Sequence, residues 1–245
     1  MNLSIITITY NNLEGLQKTS ESLHSQSVQD YEWIVVDGGS EDGSVDFLNT
    51  THAEWKSARD GGIYDAMNKG IERATREYIL FLNAGDCLAD PETLAMIGER
   101  ITQGAHFIYG DALEENEKHI RNYKPSKPYT TISKGMFTHH QAMIYRKTDL
   151  RYDISYKIAG DYEFTYRYLC DVVAQDYPVH YIPEPLCVFE AGGVSQTSAF
   201  LGRREQYDIR RKHHISGARY RYLQQMLAWN FRKCFPKLFW MMKRL

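Results

Sequence analysis

The sequence contains few cysteines, and their spacing is not typical of a cysteine-based site. Four cysteines occur in 245 residues, namely Cys87, Cys170, Cys187 and Cys234. None is spaced as C-x-x-C, which disfavours a zinc ribbon, a thioredoxin-type redox site and a disulfide scaffold. We therefore expect reduced cysteines in a cytoplasmic protein.

Long hydrophobic segments are also absent. No run of eighteen apolar residues occurs, so the sequence predicts no membrane-spanning helix. Met1 leads directly into a short apolar segment without a basic stretch before it, which predicts no signal peptide. With 43% hydrophobic and 24% charged residues, the composition is that of a globular protein and excludes wholesale disorder.

Acidic residues are missing from residues 209–245, which carry ten lysines and arginines. Residues 1–208 therefore hold 19 basic and 31 acidic residues, a net charge of −12, although the whole chain has −2. Aromatic residues, leucines and methionines lie among the basic residues from Tyr220 onward, and Pro236 is expected to interrupt the helix. The pattern predicts a basic amphipathic helical tail over 201–245 that contacts a membrane surface. The alternative is a helix packed on the rest of the protein with solvated basic side chains.

The first two thirds of the chain alternate between short apolar strands and amphipathic helices. Strands are predicted at 3–9, 32–36, 55–59 and 78–82, and helices at 63–74 and from about Pro91 to 101. Further strands are predicted at 106–109, 119–123 and 141–146, and a helix at 161–170. Because of Pro183 and Pro185, residues 179–189 are expected to form at most an edge strand. Repeated β-α units predict an α/β fold with a mostly parallel sheet covered by helices.

Polar loops follow the first four predicted strands, at residues 9–12, 37–40, 59–62 and 83–86. Ligands of such sheets bind beyond the carboxyl ends of the strands, so these loops predict a rim that holds a polar ligand. Neither G-x-G-x-x-G nor G-x-x-x-x-G-K-[ST] occurs, so nucleotide phosphates would need a divalent metal in place of a glycine nest. Asp86 is the candidate ligand for Mg²⁺ or Mn²⁺. Its alternative role is to cap a turn or the following helix.

Four segments in this order resemble the family 2 glycosyltransferases, which have the GT-A fold. They are residues 4–12 (SIITITYNN), 33–44 (WIVVDGGSEDGS), 60–70 (DGGIYDAMNKG) and 81–86 (FLNAGD). Segment 60–70 is similar to that of bacterial transferases that build capsule, exopolysaccharide or O-antigen, and the colanic-acid-type transferases look most similar. Thinner similarity continues through 139–141, 159–163 and 192–195. The resemblance implies a GT-A domain over residues 1–200, followed by the helical tail.

The resemblance also implies roles for individual residues. The residues it assigns to the donor are Thr9, Tyr10, Asp37, Ser40, Asp60, Lys69 and Asn83. Among them, Asp37 would accept a hydrogen bond from the base, and Asp86 would hold the metal that bridges the donor's phosphates. Asn83 replaces the first aspartate that is usual in the metal motif, and Gly85 occupies another commonly acidic position. One carboxylate therefore remains where two or three are usual.

Glycosyl transfer needs a group that accepts the proton of the attacking hydroxyl, and a positioned carboxylate does this. Asp161 matches the acidic motif in which the family places its catalytic base, and N-capping of the predicted helix is its alternative role. Residues that could contact the acceptor or the diphosphate are Asp111, His139, His140, Gln141 and Ser195. Residues 192–195 are expected to form either a loop that closes over the donor or a turn.

The sequence thus predicts an inverting glycosyltransferase that moves a sugar from a nucleotide-sugar, UDP-linked, to a polyprenyl-diphosphate-linked saccharide. We expect a peripheral location at the cytoplasmic face of the membrane. One alternative is a catalytically weak nucleotide-sugar-binding partner of a membrane assembly complex. A nucleotidyltransferase is disfavoured because residues 10–15 lack a basic, glycine-rich loop. No RRM, helix-turn-helix or KH signature occurs, so no nucleic acid partner is expected.

Overall fold

The computed structural model of the protein describes residues 1–192 and 198–234. Within them, nine strands form one mixed sheet, and helices cover both of its faces. The strands are β1 Leu3–Thr9, β2 Glu32–Asp37, β3 Glu54–Ser57, β4 Tyr78–Phe81, β5 Cys87–Leu88, β6 Phe107–Glu115, β7 Arg121–Lys124, β8 Met143–Arg146 and β9 Val179–Glu190. The helices are α1 Leu13–His24, α2 Ser44–Leu48, α3 Ile63–Arg73, α4 Thr93–Thr102, α5 Gly160–Ala174, α6 Ala199–Lys212 and α7 Ala218–Cys234. Short 3₁₀ helices occur at Tyr129–Lys134 and His140–Ala142.

The strand order is β3-β2-β1-β4-β8-β6-β9-β5, with β7 paired to β6. Strands β3, β2, β1 and β4 are parallel to one another, and β9 is parallel to β6. Strand β8 runs antiparallel to both β4 and β6. The predicted α/β class is therefore confirmed. The parallel half brings the carboxyl ends of β1, β2, β3 and β4 to one edge of the sheet, where the site residues lie.

Strand β1 is apolar on both faces because helices cover both sides of the sheet. Ile6 packs with residues of α3 and α5, whereas the adjacent Ile5 packs with residues of α1 and α4. Gly70 of α3 lies directly against β1, since a Cβ atom added to it would be 2.3 Å from Ile6 Cγ2. This close approach fixes the position of α3, whose amino-terminal end lies beside the site.

The expectation that residues 179–189 form at most an edge strand was wrong. Strand β9 pairs along its length with β6, and its residues Cys187 and Val188 also pair with β5. The register between β6 and β9 shifts next to Gly110, which is paired with Ile182, whereas Asp111 is paired with Pro185. The region of Pro183 and Pro185 therefore forms an irregularity in which a missing N–H donor is tolerated.

The helices after residue 198 pack against one another and against the core. In α6, Ile209 and Arg210 are fully buried, and the Arg210 guanidinium lies 5.4 Å from the Tyr162 ring centroid. Lys212 is exposed and forms an ion pair with Asp153 at 2.9 Å, so only the buried Arg210 of these two basic residues is withdrawn from a solvated basic face. The domain boundary predicted at residue 200 falls at the start of α6 and stays a prediction. Residues 235–245, including Pro236, lie outside the described residues.

Candidate active site

A cavity of about 530 Å³ lies between the end of β4, the loop before β8 and the helices α3, α5, α6 and α7. Its polar lining comes from parts of the chain that are distant in sequence. The polar and titratable residues that line it are Tyr64, Asn83, Thr138, His139, His140, Gln141, Asp161, Arg203, Gln206 and Gln225. The structure thus brings together five of the predicted site residues, namely Asn83, His139, His140, Gln141 and Asp161.

Asp161 lies in the first turn of α5 and is partly buried at the cavity wall. The N-cap residue of α5 is Ala159, so Asp161 does not have the alternative capping role; its Oδ1 atom accepts a hydrogen bond from Tyr162 N at 2.8 Å. Burial raises the pKa of the Asp161 carboxyl to about 6, and the nearby Glu205 carboxylate adds to this. A carboxylate with this pKa is ionised at neutral pH and is still able to accept a proton.

Tyr64 of α3 packs directly beneath the start of α5. A Cβ atom added to Gly160 would be 2.6 Å from Tyr64 Cε2, so only glycine fits at this position. Burial raises the pKa of the Tyr64 hydroxyl, and the adjacent backbone N–H groups of Gly160 and Asp161 oppose part of this rise. The segment 60–70 therefore contributes to the site through a buried aromatic ring that supports the Asp161 backbone.

Asp86 lies behind the cavity wall, next to two of the lining residues. Its backbone N–H donates to Asn83 O at 2.9 Å, and its Oδ2 atom accepts from Gln141 Nε2 at 2.6 Å. Burial raises the pKa of the Asp86 carboxyl to about 7, and the Glu190 carboxylate contributes to the rise. Lys18 lies on the other side of Glu190, with a distance of 3.0 Å between Nζ and Oε1.

The residues around Asp86 fit a divalent cation that prefers oxygen ligands. Asn83 Oδ1 is buried and has no hydrogen-bond partner among the described residues, so this oxygen is available as a ligand. Mg²⁺ and Mn²⁺ take carboxylate and amide oxygens together with water and phosphate. Within residues 1–192 and 198–234, no group of three or more acidic, histidine or cysteine side chains is arranged to hold a metal.

The two predicted histidines differ in their surroundings. His140 is buried in the core, where its Nε2 atom lies 2.8 Å from the Tyr152 hydroxyl and its ring stacks on Phe81. Burial lowers the pKa of His140 to about 3. His139 stacks on Phe189 at a ring-centroid distance of 3.6 Å, and burial lowers its pKa to about 4. Both imidazoles are therefore neutral at physiological pH, and neither adds positive charge to the cavity.

A second group of predicted residues lies at the ends of β1 and β2. Asp37 is fully buried, and its Oδ2 atom accepts hydrogen bonds from Ser40 N at 2.9 Å and Ser57 Oγ at 2.5 Å. The Ser40 hydroxyl donates to the other oxygen of Asp37. These bonds hold the loop after β2 in place. A contact from Asp37 to a nucleobase stays a prediction.

Tyr10 and Asp60 converge on the same loop. A Cβ atom on Gly38 would lie 3.1 Å from Asp60 Oδ2 and 3.2 Å from Tyr10 Cδ2. The Tyr10 ring is 65% exposed and therefore accessible to a ligand, whereas Thr9 is buried at the end of β1. Asp60 Oδ1 accepts a hydrogen bond from Gly62 N at 2.9 Å, next to the start of α3. Since Tyr64 of α3 lines the cavity, α3 connects this loop region to the cavity.

Three predicted residues belong neither to the described cavity lining nor to the group at the ends of β1 and β2. The Asp111 carboxylate is buried and accepts hydrogen bonds from Ser126 and from the hydroxyls of Tyr123 and Tyr181, which together keep its pKa below the ordinary value despite burial. Lys69 forms an ion pair with Asp65 at 2.8 Å, one turn earlier in α3. Ser195 lies outside the described residues, as does most of the predicted loop at 192–195.

The sequence model of the family described as Glycosyl transferase family 2 matches residues 4–167, which is more than half of the chain. The chain belongs to glycosyl transferase family 2. An uncharacterized glycosyltransferase of Mycobacterium tuberculosis H37Rv is 30% identical over 233 residues, which cover 89% of this chain and 87% of that protein. A PGL/p-HBAD biosynthesis glycosyltransferase of Mycobacterium bovis BCG is 29% identical over 211 residues, which cover 79% of each protein.

Solved structures share the fold of this family 2 glycosyltransferase. S. aureus TarS 1–349 in complex with UDP-GlcNAc matches with a TM-score of 0.67 and 20% identity, over 86% of this chain and 65% of that chain. The mannosyltransferase PcManGT from Pyrobaculum calidifontis, in complex with GDP-Man and Mn²⁺, matches with a TM-score of 0.62 and 17% identity, over 86% and 64%. The chain thus spans slightly less than two thirds of either structure. These similarities confirm the predicted GT-A fold.

Several residues of the glycosyltransferase cavity were not identified from the sequence. Arg203 and Gln206 of α6 and Gln225 of α7 line it, although the tail was expected to contact a membrane. Residues 199, 202, 203 and 206 recur at helical spacing and would form one face of a helix, a pattern that was available in the sequence. Nothing in the sequence indicates that this face turns towards Asp161.

Proposed function

We propose that the protein is an inverting glycosyltransferase that transfers a sugar from a UDP-sugar to a lipid-linked saccharide in surface polysaccharide synthesis. The observation that carries this proposal is the Asp161 carboxylate, which lines a 530 Å³ cavity beyond the carboxyl end of β4 and has a raised pKa of about 6. A single positioned carboxylate is sufficient for direct displacement with inversion, because the acceptor hydroxyl itself is the nucleophile.

In the proposed reaction, the oxygen of the acceptor hydroxyl attacks the anomeric carbon, while the Asp161 carboxylate accepts the proton of that hydroxyl. The new glycosidic C–O bond forms as the bond from the anomeric carbon to the donor phosphate breaks. The nucleoside diphosphate leaves with the bonding electron pair. Arg203 is the one lysine or arginine among the described residues that line the cavity, and it is suited to interact with this negative charge.

The donor would lie with its nucleoside at the ends of β1 and β2 and its sugar in the cavity. Tyr10 is accessible for stacking on the base, and Thr9, Ser40, Asp60 and Asn83 supply polar groups along this path. The uridine assignment draws support from TarS, whose structure contains UDP-GlcNAc. PcManGT contains GDP-Man, so guanosine is the nucleotide against which the assignment is tested.

We propose that Asp86 and Asn83 hold a divalent metal ion. When bound, such an ion neutralises charge on the donor's phosphates. Gln141 orients Asp86 through the 2.6 Å hydrogen bond, as an outer partner of the ligand. Mn²⁺ in the PcManGT structure supports the choice of metal.

Calorimetric titration of UDP and GDP, with and without Mn²⁺, tests both the donor and the metal assignments. We expect UDP to bind in the presence of Mn²⁺ more tightly than GDP. Asp86→Ala should weaken this binding by more than about tenfold, since even an outer partner of a metal ligand contributes about 10–100-fold. The matched control is Asp149→Ala, because Asp149 is an exposed aspartate in the loop after β8. Absence of UDP and GDP binding under all conditions would refute the donor site.

We propose that α7 rests on the cytoplasmic face of a membrane that contains the acceptor. Tyr220, Leu223 and Leu227 are 66%, 60% and 68% exposed, and their spacing places them on one face of α7. Two exposed basic residues lie nearby: Arg211 precedes α7, and Arg219 is in its first turn. Among residues 1–192 and 198–234, the structure contains no helix with the length and hydropathy of a membrane span. The M. bovis relative is named a PGL/p-HBAD biosynthesis glycosyltransferase, and this name supports a lipid-borne acceptor.

Replacing Leu223 by glutamate is expected to reduce binding to vesicles that contain anionic lipid by at least about tenfold. Burying a leucine side chain contributes about 1.5–3 kcal/mol, and a tenfold change corresponds to about 1.4 kcal/mol. Co-sedimentation with vesicles measures the effect. Ile120→Glu serves as the control, because Ile120 is a similarly exposed apolar residue near β7. Equal vesicle binding by the two variants would contradict the membrane assignment.

A further inference from the structure

The backbone that leads into α5 is bound by a carboxylate from α6. Glu205 is 8% exposed, and its two oxygens accept hydrogen bonds from three consecutive backbone N–H groups. The distances are 2.8 Å to Lys157 N, 2.9 Å to Ile158 N and 2.8 Å to Ala159 N. Charge-assisted hydrogen bonds of this kind are stronger than neutral ones. One side chain therefore satisfies all three N–H groups of this segment.

These N–H groups need a partner because they precede the first hydrogen bond within the helix. That bond joins Glu163 N to Ala159 O at 3.2 Å. The N-cap residue Ala159 has no side-chain oxygen, and Asp161 accepts only from Tyr162 N within its own segment. Helix starts normally obtain a capping side chain from the N-cap residue itself. Here Glu205, more than forty positions later in the chain, binds the N–H of the N-cap residue Ala159 and of the two residues before it, and its negative charge is also favourable at the helix amino terminus.

Packing against α6 restrains the same segment. Gly202, one turn before Glu205, is buried, and a Cβ atom added to it would be 3.0 Å from Ile158 Cγ2. On the opposite side, Gly160 lies against the Tyr64 ring. The backbone from 157 to 161 is thus held between α6 and α3, and Asp161 lies at its end.

We propose that Glu205 is a positioning residue that holds residues 157–161 in the conformation in which the Asp161 carboxylate faces the cavity. This inference rests on the proposed function, because it assigns to Asp161 the role of proton acceptor. Glu205 does not line the cavity among the described residues and takes no proton from the substrate. A misplacement of about 1 Å at a reacting group costs roughly 10²-fold in rate, so loss of this support has a measurable effect.

Two variants and a matched control test the proposal. Glu205→Gln keeps the size of the side chain but removes its charge, whereas Glu205→Ala removes all three hydrogen bonds. Asp208→Asn is the control, because Asp208 is an exposed acidic residue on the same helix. We expect kcat to fall by about tenfold in Glu205→Gln and by about 10²-fold in Glu205→Ala, with the donor KM unchanged. The control should keep the wild-type kcat.

The pH profile gives a readout that a merely structural role would not change. The titratable or charged groups that face Asp161 are Tyr64, Tyr145, Tyr152, His139, His140, Arg203 and Glu205. Burial is the main cause of the raised pKa of Asp161, and among these groups Glu205 is the carboxylate that adds to it. In Glu205→Gln, the decrease of kcat at acidic pH should therefore begin at a lower pH than in the wild type. In Asp208→Asn it should stay in place.

Hydrogen–deuterium exchange separates failure of this inference from failure of the proposed function. Peptides that cover 157–163 should exchange faster in Glu205→Ala than in the wild type, while peptides from β1 and β2 remain protected. If no donor and acceptor pair gives transfer by the wild type, the proposed function fails, and this exchange result still shows whether Glu205 restrains the segment. If the wild type is active and Glu205→Gln matches Asp208→Asn in kcat and pH profile, the positioning role is refuted.

Discussion

Replacing Asp161 by asparagine is expected to lower kcat by about 10²–10⁴-fold, the contribution typical of a positioned general base. Asparagine has nearly the same shape, and its Oδ1 atom can still accept the hydrogen bond from Tyr162 N. The side chain loses only its capacity to take up the proton of the acceptor hydroxyl. Binding of UDP should remain unchanged, because the proposed nucleoside and metal residues lie at the ends of β1, β2 and β4 and not on α5. Steady-state transfer rates and UDP titration together measure this separation.

The wild-type rate should also fall as the pH decreases below about 6. Because the pKa of Asp161 is raised to about 6, protonation inactivates the base at a higher pH than for an ordinary aspartate. This decrease should be visible in kcat measured at saturating donor. Asp171→Asn provides the control, since Asp171 is an exposed aspartate on the same helix. An Asp161→Asn enzyme with near wild-type kcat would exclude Asp161 as the base.

Replacing Gly160 by alanine is expected to have the second largest effect. The new methyl group would lie 2.6 Å from Cε2 and 2.8 Å from Cδ2 and Cζ of Tyr64, which is too close for any real Cβ atom. Either the Tyr64 ring or the start of α5 has to move. Overpacking of this kind costs about 1–3 kcal/mol of unfolding free energy, and the displaced Asp161 should lower kcat by about 10²-fold.

Urea denaturation and transfer assays measure the two effects of Gly160→Ala separately. Gly98→Ala is the matched control, because Gly98 lies within α4 and the nearest atom to its added Cβ is Met1 Sδ, at 3.3 Å in a flexible side chain. That variant should keep its activity and gain or lose less than about 1 kcal/mol. Wild-type stability and kcat in Gly160→Ala would show that the contact between Tyr64 and Gly160 does not position the base.

The elements of the first half of the chain could be predicted well from the sequence, since local patterns determine them. Strand β1 has the predicted bounds, and β2, β4 and α3 differ from the prediction by a single residue. Apolar runs flanked by polar loops determine buried strands, and the loops at strand ends fall at one edge of a parallel sheet by geometry alone. The family and fold followed from the same segments.

Later elements were less predictable, because their positions depend on partners that are distant in sequence. Strand β9 contains two prolines that favour at most an edge strand, yet it lies between β6 and β5 and accommodates the prolines where its register with β6 shifts. The loop before β8 brings His139, His140 and Gln141 to the cavity, but the His140 ring also stacks on Phe81 of the core and hydrogen-bonds Tyr152. Side-chain direction at adjacent positions depends on the local 3₁₀ turn, which the sequence pattern does not reveal.

The sequence by itself determined the α/β class, the family 2 resemblance and the identity of Asp161 and Asp86 as the principal candidate residues. Only the tertiary structure decided which side chains surround them. Tyr64 comes from α3, whereas Glu205 and Arg203 come from α6, far away in the chain, and each owes its position to packing against α5 or the cavity. Periodicity reports which face of a helix is buried, whereas the partner of that face is selected by the packing of the whole molecule.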